Sequence, residues 1–268
     1  PRADLRLRSV RRVPGSRASC WIERVDAACP EAAVEDLYAG DSWYIARRLN
    51  AALDNSQMWA LSAGYGLVRS DDRIASYEAT LSSGHPDSVH RSGDRVGPKS
   101  MRRRWWSELC GWQGPAPSGS APRSIAELAS ADSSAAIVVS AGADYIDATM
   151  NDLVAAAAAL ESPERLVVLG SGRCPERALD ESWVSLPAKL RTVVGGSLGS
   201  LSIRAAERVL QDAGTSVTAA RGRAVVAELC KNVADLTPEA RRPLDDDEVA
   251  EWIADRLASE PSLTKTVA

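Results

Sequence analysis

Residues 61–81 read LSAGYGLVRSDDRIASYEATL. The stretch is too polar for a buried strand and too rich in Gly, Ser and Asp for an uninterrupted helix. The apolar run MWALSA at 58–63 precedes it and stops at Gly64, so it predicts a buried strand that delivers the chain into a loop. Ligands of open α/β sheets sit at the carboxyl ends of strands. A strand ending at Ala63 would therefore place Tyr65, Gly66, Arg69, Asp71, Asp72 and Tyr77 at such an edge, with Ser62 just inside it. Glycines admit close backbone approach, tyrosines stack on bases, and a carboxylate orients water or stabilises a cation forming at a sugar carbon. The competing structural reading makes Leu67 and Ile74 core plugs and Asp72 the cap of a turn.

Outward from this loop, Trp43, Ala46, Leu49 and Leu53 share a helical face within GDSWYIARRLNAAL, and EAAVEDLY before it also reads as helical. LRLRSV near the start alternates and predicts a weak first strand. Residues 82–124 are irregular, with a short helix around SMRRRWWSELCGW and a surface loop at GPAPSGSAP. An α/β alternation follows: helix SIAELASA, strand AAIVVSA, helix TMNDLVAAAAAL, strand RLVVLGSG, then WVSLPAKL, the turn VVGGSLGS and helix LSIRAAERVLQDAG, with Gly214 as its stop. TAARGRAVVAELCKNV and PLDDDEVAEWIADRLASE continue as helices, the second opened by acidic residues as the helix dipole prefers. The final PSLTKTVA reads as the start of another element. The expected architecture is an α/β domain over residues 1–215 with a mixed sheet and flanking helices, and a helical C-terminal appendage over 216–268.

Composition narrows the classes. The 268 residues are 45% hydrophobic and 25% charged, which suits a globular protein with a sizeable core. Phe is absent, so aliphatic residues and eight Trp must fill that core. A net charge of -4 excludes a uniformly basic coat for nucleic acid but not a local basic face. Five cysteines with no metal-type spacing and only two histidines make a metal site improbable; no cofactor is expected. Reduced thiols, the missing apolar leader segment and an apolar maximum of LVAAAAAL point to a cytoplasmic protein off the membrane.

Two further segments carry chemistry. GGSLGS at 195–200 opens a helix, where Gly196 and Ser197 would offer backbone N–H groups to an anion and Arg204 lies one turn in; close helix–strand packing is the competing reading. MRRRWWSELCGW sets Arg103 and Arg104 beside Trp105, Trp106 and Trp112, a pattern for DNA-backbone contact or for plain core packing. His90 and Arg91 precede it and would line the same cleft. Cys20 has no His in a partner position and reads as an inert thiol.

The opening stretch resembles the YaaA peroxide-stress family, whose segment YGLLRPLDLIxPYRLEM is matched by Tyr65, Gly66, Leu67, Arg69, Asp72, Ile74 and Tyr77. A broader set of bacterial and phage proteins shares LSAxYGLL...I..Y..TL, and there Leu61, Ser62, Ala63, Thr80 and Leu81 match as well. Ser70 for Pro and Glu78 for Arg depart from the YaaA form and favour the broader set. LYAGDSWYIARRL is similar to the family's LYxGDVY through Leu37, Tyr38, Gly40 and Asp41, and SLPAKLRTVVGGSLGSLSIRAAERVL looks like a late motif with Lys189 and Arg204 as its charges. The resemblance spans roughly residues 18–215. It implies a YaaA-like fold of the cantaloupe type, DNA binding, and kinship with domains that handle deazapurine bases at the N-glycosidic bond. The expected function is then a glycosylase-like hydrolase acting on a modified base, in phage DNA for example, which would suit antiviral defence. Asp72 or Asp41 would do the chemistry, Tyr65 or Tyr77 would stack, Ser62 and Gly66 would line the pocket, and Arg69, Arg204, Arg103 and Arg104 would hold phosphates. The alternatives are a non-catalytic DNA-binding stress protein and an enzyme of free nucleosides or nucleotides.

Overall fold

A computed structural model describes residues 3–10, 16–115, 122–236 and 245–259. The chain divides into two compact units, Pro1–Ala234 and Asp235–Ala268.

The first unit opens on two 3-10 turns, Ala3–Leu5 and Leu7–Ser9, where a strand was expected. The alternation in LRLRSV is real as burial, since Leu5, Leu7 and Val10 are buried. The backbone, however, pairs only at Arg6 with Glu78, through Leu7 N–H to Glu78 O and Glu78 N–H to Leu5 O, both 2.8 Å. Helix α1 (Arg17–Asp26) starts where the Ser16 hydroxyl accepts the Ala18 N–H. EAAVEDLY is helical only in α2 (Val34–Leu37), because β1 (Ala32–Ala33) pairs antiparallel with β4 (Arg73–Ile74). Helix α3 (Asp41–Ala52) buries Ile45 and Leu49, while Trp43, Ala46 and Leu53 are half-buried. Between them and β4 come β2 (Trp59–Ser62) and β3 (Gly66–Arg69). The run at 58–63 is thus a strand as expected, but its continuation is a hairpin: Ser62 faces Gly66 and Trp59 faces Arg69 across an antiparallel ladder. Gly-Leu-Val-Arg at 66–69 forms the second strand because three of its four residues are buried, which the polar average of the stretch conceals.

Helix α4 (Pro98–Cys110) has its proline in the first turn, where a missing N–H costs nothing. The α/β alternation then runs α5 (Ile125–Ala131), β5 (Ile137–Ser140), α6 (Ala143–Ala148), α7 (Met150–Ala159), β6 (Leu166–Ser171), β7 (Trp183–Leu186), α8 (Arg191–Val194), α9 (Leu201–Ala213) and α10 (Ala219–Cys230). Strands β5, β6 and β7 form a parallel sheet with β6 central. Strand β6 is apolar almost throughout because both faces are covered. Leu166 and Val168 enter the core shared with α5, α7 and the hairpin, whereas Val167 and Leu169 enter a second core with α9 and α10. WVSLPAKL supplies the edge strand β7, since Trp183, Val184 and Leu186 are buried. Helix α9 ends at Gly214, at a φ of 56°, as expected.

The expected single mixed sheet is therefore divided: among the described residues there are two two-stranded antiparallel sheets and one three-stranded parallel sheet. The boundary expected after residue 215 also moves. Helix α10 buries Ala219, Val226 and Cys230 in the second core, and Gly222 lies against Val184 and Val167, so α10 belongs to the first unit. The second unit contains α11 (Asp246–Ser259), opened by a reciprocal cap in which Glu248 N–H donates to Asp245 Oδ1 at 2.9 Å and Asp245 N–H to Glu248 Oε2 at 3.1 Å. The segment PSLTKTVA, the start of PLDDDEVAEWIADRLASE and most of GPAPSGSAP lie outside the described residues. Among the described residues, no helix is long and apolar enough to cross a membrane.

Candidate functional site

The β2–β3 turn is held from outside by its own carbonyls. Ala63 O accepts the Trp105 indole N–H and Gly64 O the Trp21 indole N–H, each at 2.8 Å. The Arg123 guanidinium donates to Leu67 O at 2.8 Å and to Tyr65 O, and its plane lies over the Trp112 ring. The basic aromatic run therefore serves packing: Trp105 and Trp106 are buried, and Trp106 donates to Asp152 at 2.9 Å. Arg103 is paired with Asp147 at 3.2 Å and Arg104 with Glu108 at 2.8 Å, so each expected phosphate contact already faces a carboxylate. Arg91 donates to the carbonyls of Leu7, Arg8 and Val10 instead of lining a cleft. His90 is half-buried.

Tyr65 is buried, and its hydroxyl exchanges hydrogen bonds with the backbone of Ala75 at 3.2 Å, which leaves no face for a base. The Asp72 carboxylate accepts the Arg69 N–H at 2.8 Å, and Asp72 O accepts the Val34 N–H at 2.8 Å; it caps the β3–β4 turn. Arg69 pairs with Asp71 on the exposed rim. Asp41, in the first turn of α3, accepts the Arg204 guanidinium on both carboxylate oxygens at 2.9 Å. Hydrogen bonds from Arg204 and then Ser200 hold its carboxyl below the usual carboxylate range. The Gly-rich turn does meet Arg204: a Cβ on Gly196 would lie 2.3 Å from Arg204 Nε, so glycine is required there. Ser197 caps the 3-10 turn Leu198–Ser200. Gly196 and Arg204 thus come together as expected, and Asp41 joins them in a closed ion pair; Asp72 and Tyr65 lie apart from it in structural roles.

Tyr77 is the expected residue that meets open space. It lines a cavity of about 230 Å³ with Tyr38, Ser76, Glu78, Thr80, His85 and Tyr145, among others. Its hydroxyl lies 2.8 Å from Ser62 Oγ and 2.7 Å from the Tyr38 hydroxyl. Its ring lies edge-on to Tyr38, Tyr65 and Trp21. It also covers Gly64, where a Cβ would come within 2.5 Å of the ring. Burial pushes the Tyr77 phenol up to about 12 and raises that of Tyr38 well above the ordinary value, so both stay protonated at neutral pH. Glu78 faces Arg6 at 3.3 Å and Arg8 at 3.0 Å. His85 Nδ1 accepts the Asp87 N–H at 3.1 Å, and the Tyr145 hydroxyl is 3.5 Å from Thr80 Oγ1. Segment 76–80 is fixed by single bridges on both sides, Arg6 with Glu78 and Thr80 with Ser88.

Sequence reasoning missed Glu78, His85 and Tyr145 as site residues. Tyr145 comes from α6, 65 positions beyond Thr80, and no local spacing announces it. A second, more open depression of about 430 Å³ lies between α1 and the end of α4, at Ser19, Ile22, Glu23, Glu108 and Trp112. Among the described residues no three His, Cys, Asp or Glu side chains gather as a metal site, and the five cysteines are free thiols.

A sequence-family profile described as a family of unknown function (DUF6884) matches residues 19–105. That stretch contains Tyr38, Tyr77, Glu78, Thr80 and His85, but not Tyr145. No curated protein and no solved structure matches the chain.

Proposed function

We propose that the chain acts on DNA at the N-glycosidic bond of a modified base, with the tyrosine-lined cavity receiving the base. One observation carries this reading. The Tyr38–Tyr77 contact joins the LYAGD segment to the YGL segment, and it does so at the wall of the cavity. These are the segments that resemble the YaaA-like proteins, so the resemblance and the cavity coincide. A flipped base needs a small aromatic pocket with polar groups at its edge, and tyrosines with an imidazole and a carboxylate meet that need.

In this reading the chemistry passes from the two aspartates to the cavity wall. Water adds to the sugar carbon and gives a proton to Glu78. The departing base keeps the electron pair of the broken C–N bond, is steadied by a hydrogen bond from the His85 N–H, and takes up its proton from solvent. Asp41 and Asp72 keep the fold in register.

Incubation with plain, uracil-containing and hypermodified phage DNA, followed by alkali, tests this. Cutting confined to one modified DNA, lost about 100-fold or more in Glu78→Gln and retained in Asp41→Asn, supports the proposal. Salt-sensitive binding with no cutting on any DNA would replace it with a non-catalytic DNA-binding protein.

A further inference from the structure

We infer that the cavity selects for bases carrying a ring carbonyl, because its hydroxyl network ends in donors left over for a ligand; this rests on the base-pocket reading above. The count follows from the hydrogen bonds. Ser62 Oγ accepts N–H groups from Gly64 at 3.3 Å and Tyr65 at 3.0 Å, which fill its two lone pairs. Its own proton must then go to the Tyr77 oxygen, 2.8 Å away. Ser62, Tyr77 and Tyr38 bring three protons to two oxygen–oxygen contacts. One phenolic proton, on Tyr38 or Tyr77, is therefore not taken up within the trio, and both residues line the cavity.

The opposite wall repeats the pattern. Thr80 Oγ1 already accepts the Ser82 N–H at 3.1 Å, and it shares a single 3.5 Å contact with Tyr145, so two hydroxyl protons meet one contact. On His85 the Asp87 N–H occupies Nδ1, which leaves the neutral ring's proton on Nε2. Glu78, the carboxylate in this wall, offsets only part of the surplus, since Arg6 and Arg8 both engage its Oε2. Because the phenols stay protonated, the surplus persists at neutral pH. A ring carbonyl brings two acceptor lone pairs into such a site, whereas an exocyclic amine sets donors against donors.

Calorimetric titration of the full chain with free bases tests the inference. The probes are uracil and hypoxanthine against their parents pyrimidine and purine, with adenine as the amine. The oxo bases should bind about tenfold tighter than the parents, and adenine should bind weakest. In Tyr38→Phe the preference should survive, since Tyr77 then holds the spare proton; in the double variant Tyr38→Phe/Tyr77→Phe it should fall about fivefold. Equal or better binding of pyrimidine, purine or adenine to the unaltered protein overturns the inference and leaves the pocket reading in place, and that comparison needs no variant. Binding of none of the bases overturns the pocket reading, and the inference with it.

Discussion

The hydroxyls of Tyr38 and Tyr77 lie 2.7 Å apart, although 39 positions separate them in the chain. Tyr38 follows α2, which continues directly from β1, and Tyr77 follows β4, so the contact adds a side-chain tie beside the β1–β4 pair. The same two residues form part of the cavity wall. Fold stability and the shape of the site are therefore coupled at one hydrogen bond.

The two phenylalanine substitutions should differ. Tyr77→Phe strands the buried Ser62 hydroxyl and removes the Tyr38 contact, which should cost about 1–3 kcal/mol. Tyr38→Phe removes only a terminal contact and should cost about 0.5–1.5 kcal/mol. Urea unfolding of the two variants measures the gap; equal midpoints would contradict the hydroxyl chain.

Gly64→Ala probes the packing beneath Tyr77. The added Cβ would sit 2.5 Å from the Tyr77 ring, so the ring must move toward the cavity. Overpacking of this kind costs about 1–3 kcal/mol. A lowered melting temperature together with weakened base binding is expected, and an unchanged melting temperature would speak against the close approach.

Alkaline pH should weaken the fold through Tyr77. Its folded pKa, about 12, exceeds the ordinary phenol value of about 10, so the folded state holds this proton more tightly. That contribution is complete below about pH 10 and is lost as pH rises from there toward 12. Denaturant midpoints should fall across this window, and phenolate absorbance should show a late-titrating group that becomes ordinary on unfolding. A Tyr77→Phe variant with the same alkaline slope as the unaltered chain would refute the assignment.

The expected catalytic aspartates should behave as structural residues. Asp41→Asn loosens a partly exposed, solvent-screened pair with Arg204 and should leave the urea midpoint nearly unchanged. Asp72→Ala removes the acceptor for the Arg69 N–H in a turn and should cost about 0.5–2 kcal/mol. Neither change should abolish base release by the folded protein; loss of release in either at unaltered stability would return the chemistry to these carboxylates.

The sequence showed regular elements more clearly than the site. β5, β6, α7 and α9 follow from apolar periodicity, because each sets its apolar residues into or against one of the two cores. β3 was hidden because Gly66, Arg69 and the flanking polar residues dilute a strand of only four positions. The first turns were misread as a strand because burial alternates there while the hydrogen bonds do not. In the candidate site, Tyr77 was singled out from its place in the motif, whereas Asp41 and Arg204 were named separately and their pairing was not foreseen, because 163 positions separate them. Tyr145 and His85 were not, since their meeting with Tyr77 depends on α6 and on the bridge at Thr80 rather than on any spacing.

Blocking the cavity tests the account most directly. Base released from the modified DNA would be measured chromatographically for the unaltered chain and for Ser76→Trp, a substitution at the cavity wall that spares the tyrosine contacts. Melting temperature and DNA affinity would be followed in parallel. The account predicts release by the unaltered chain and none by a folded, DNA-binding Ser76→Trp. Release at the unaltered rate from that variant would contradict it.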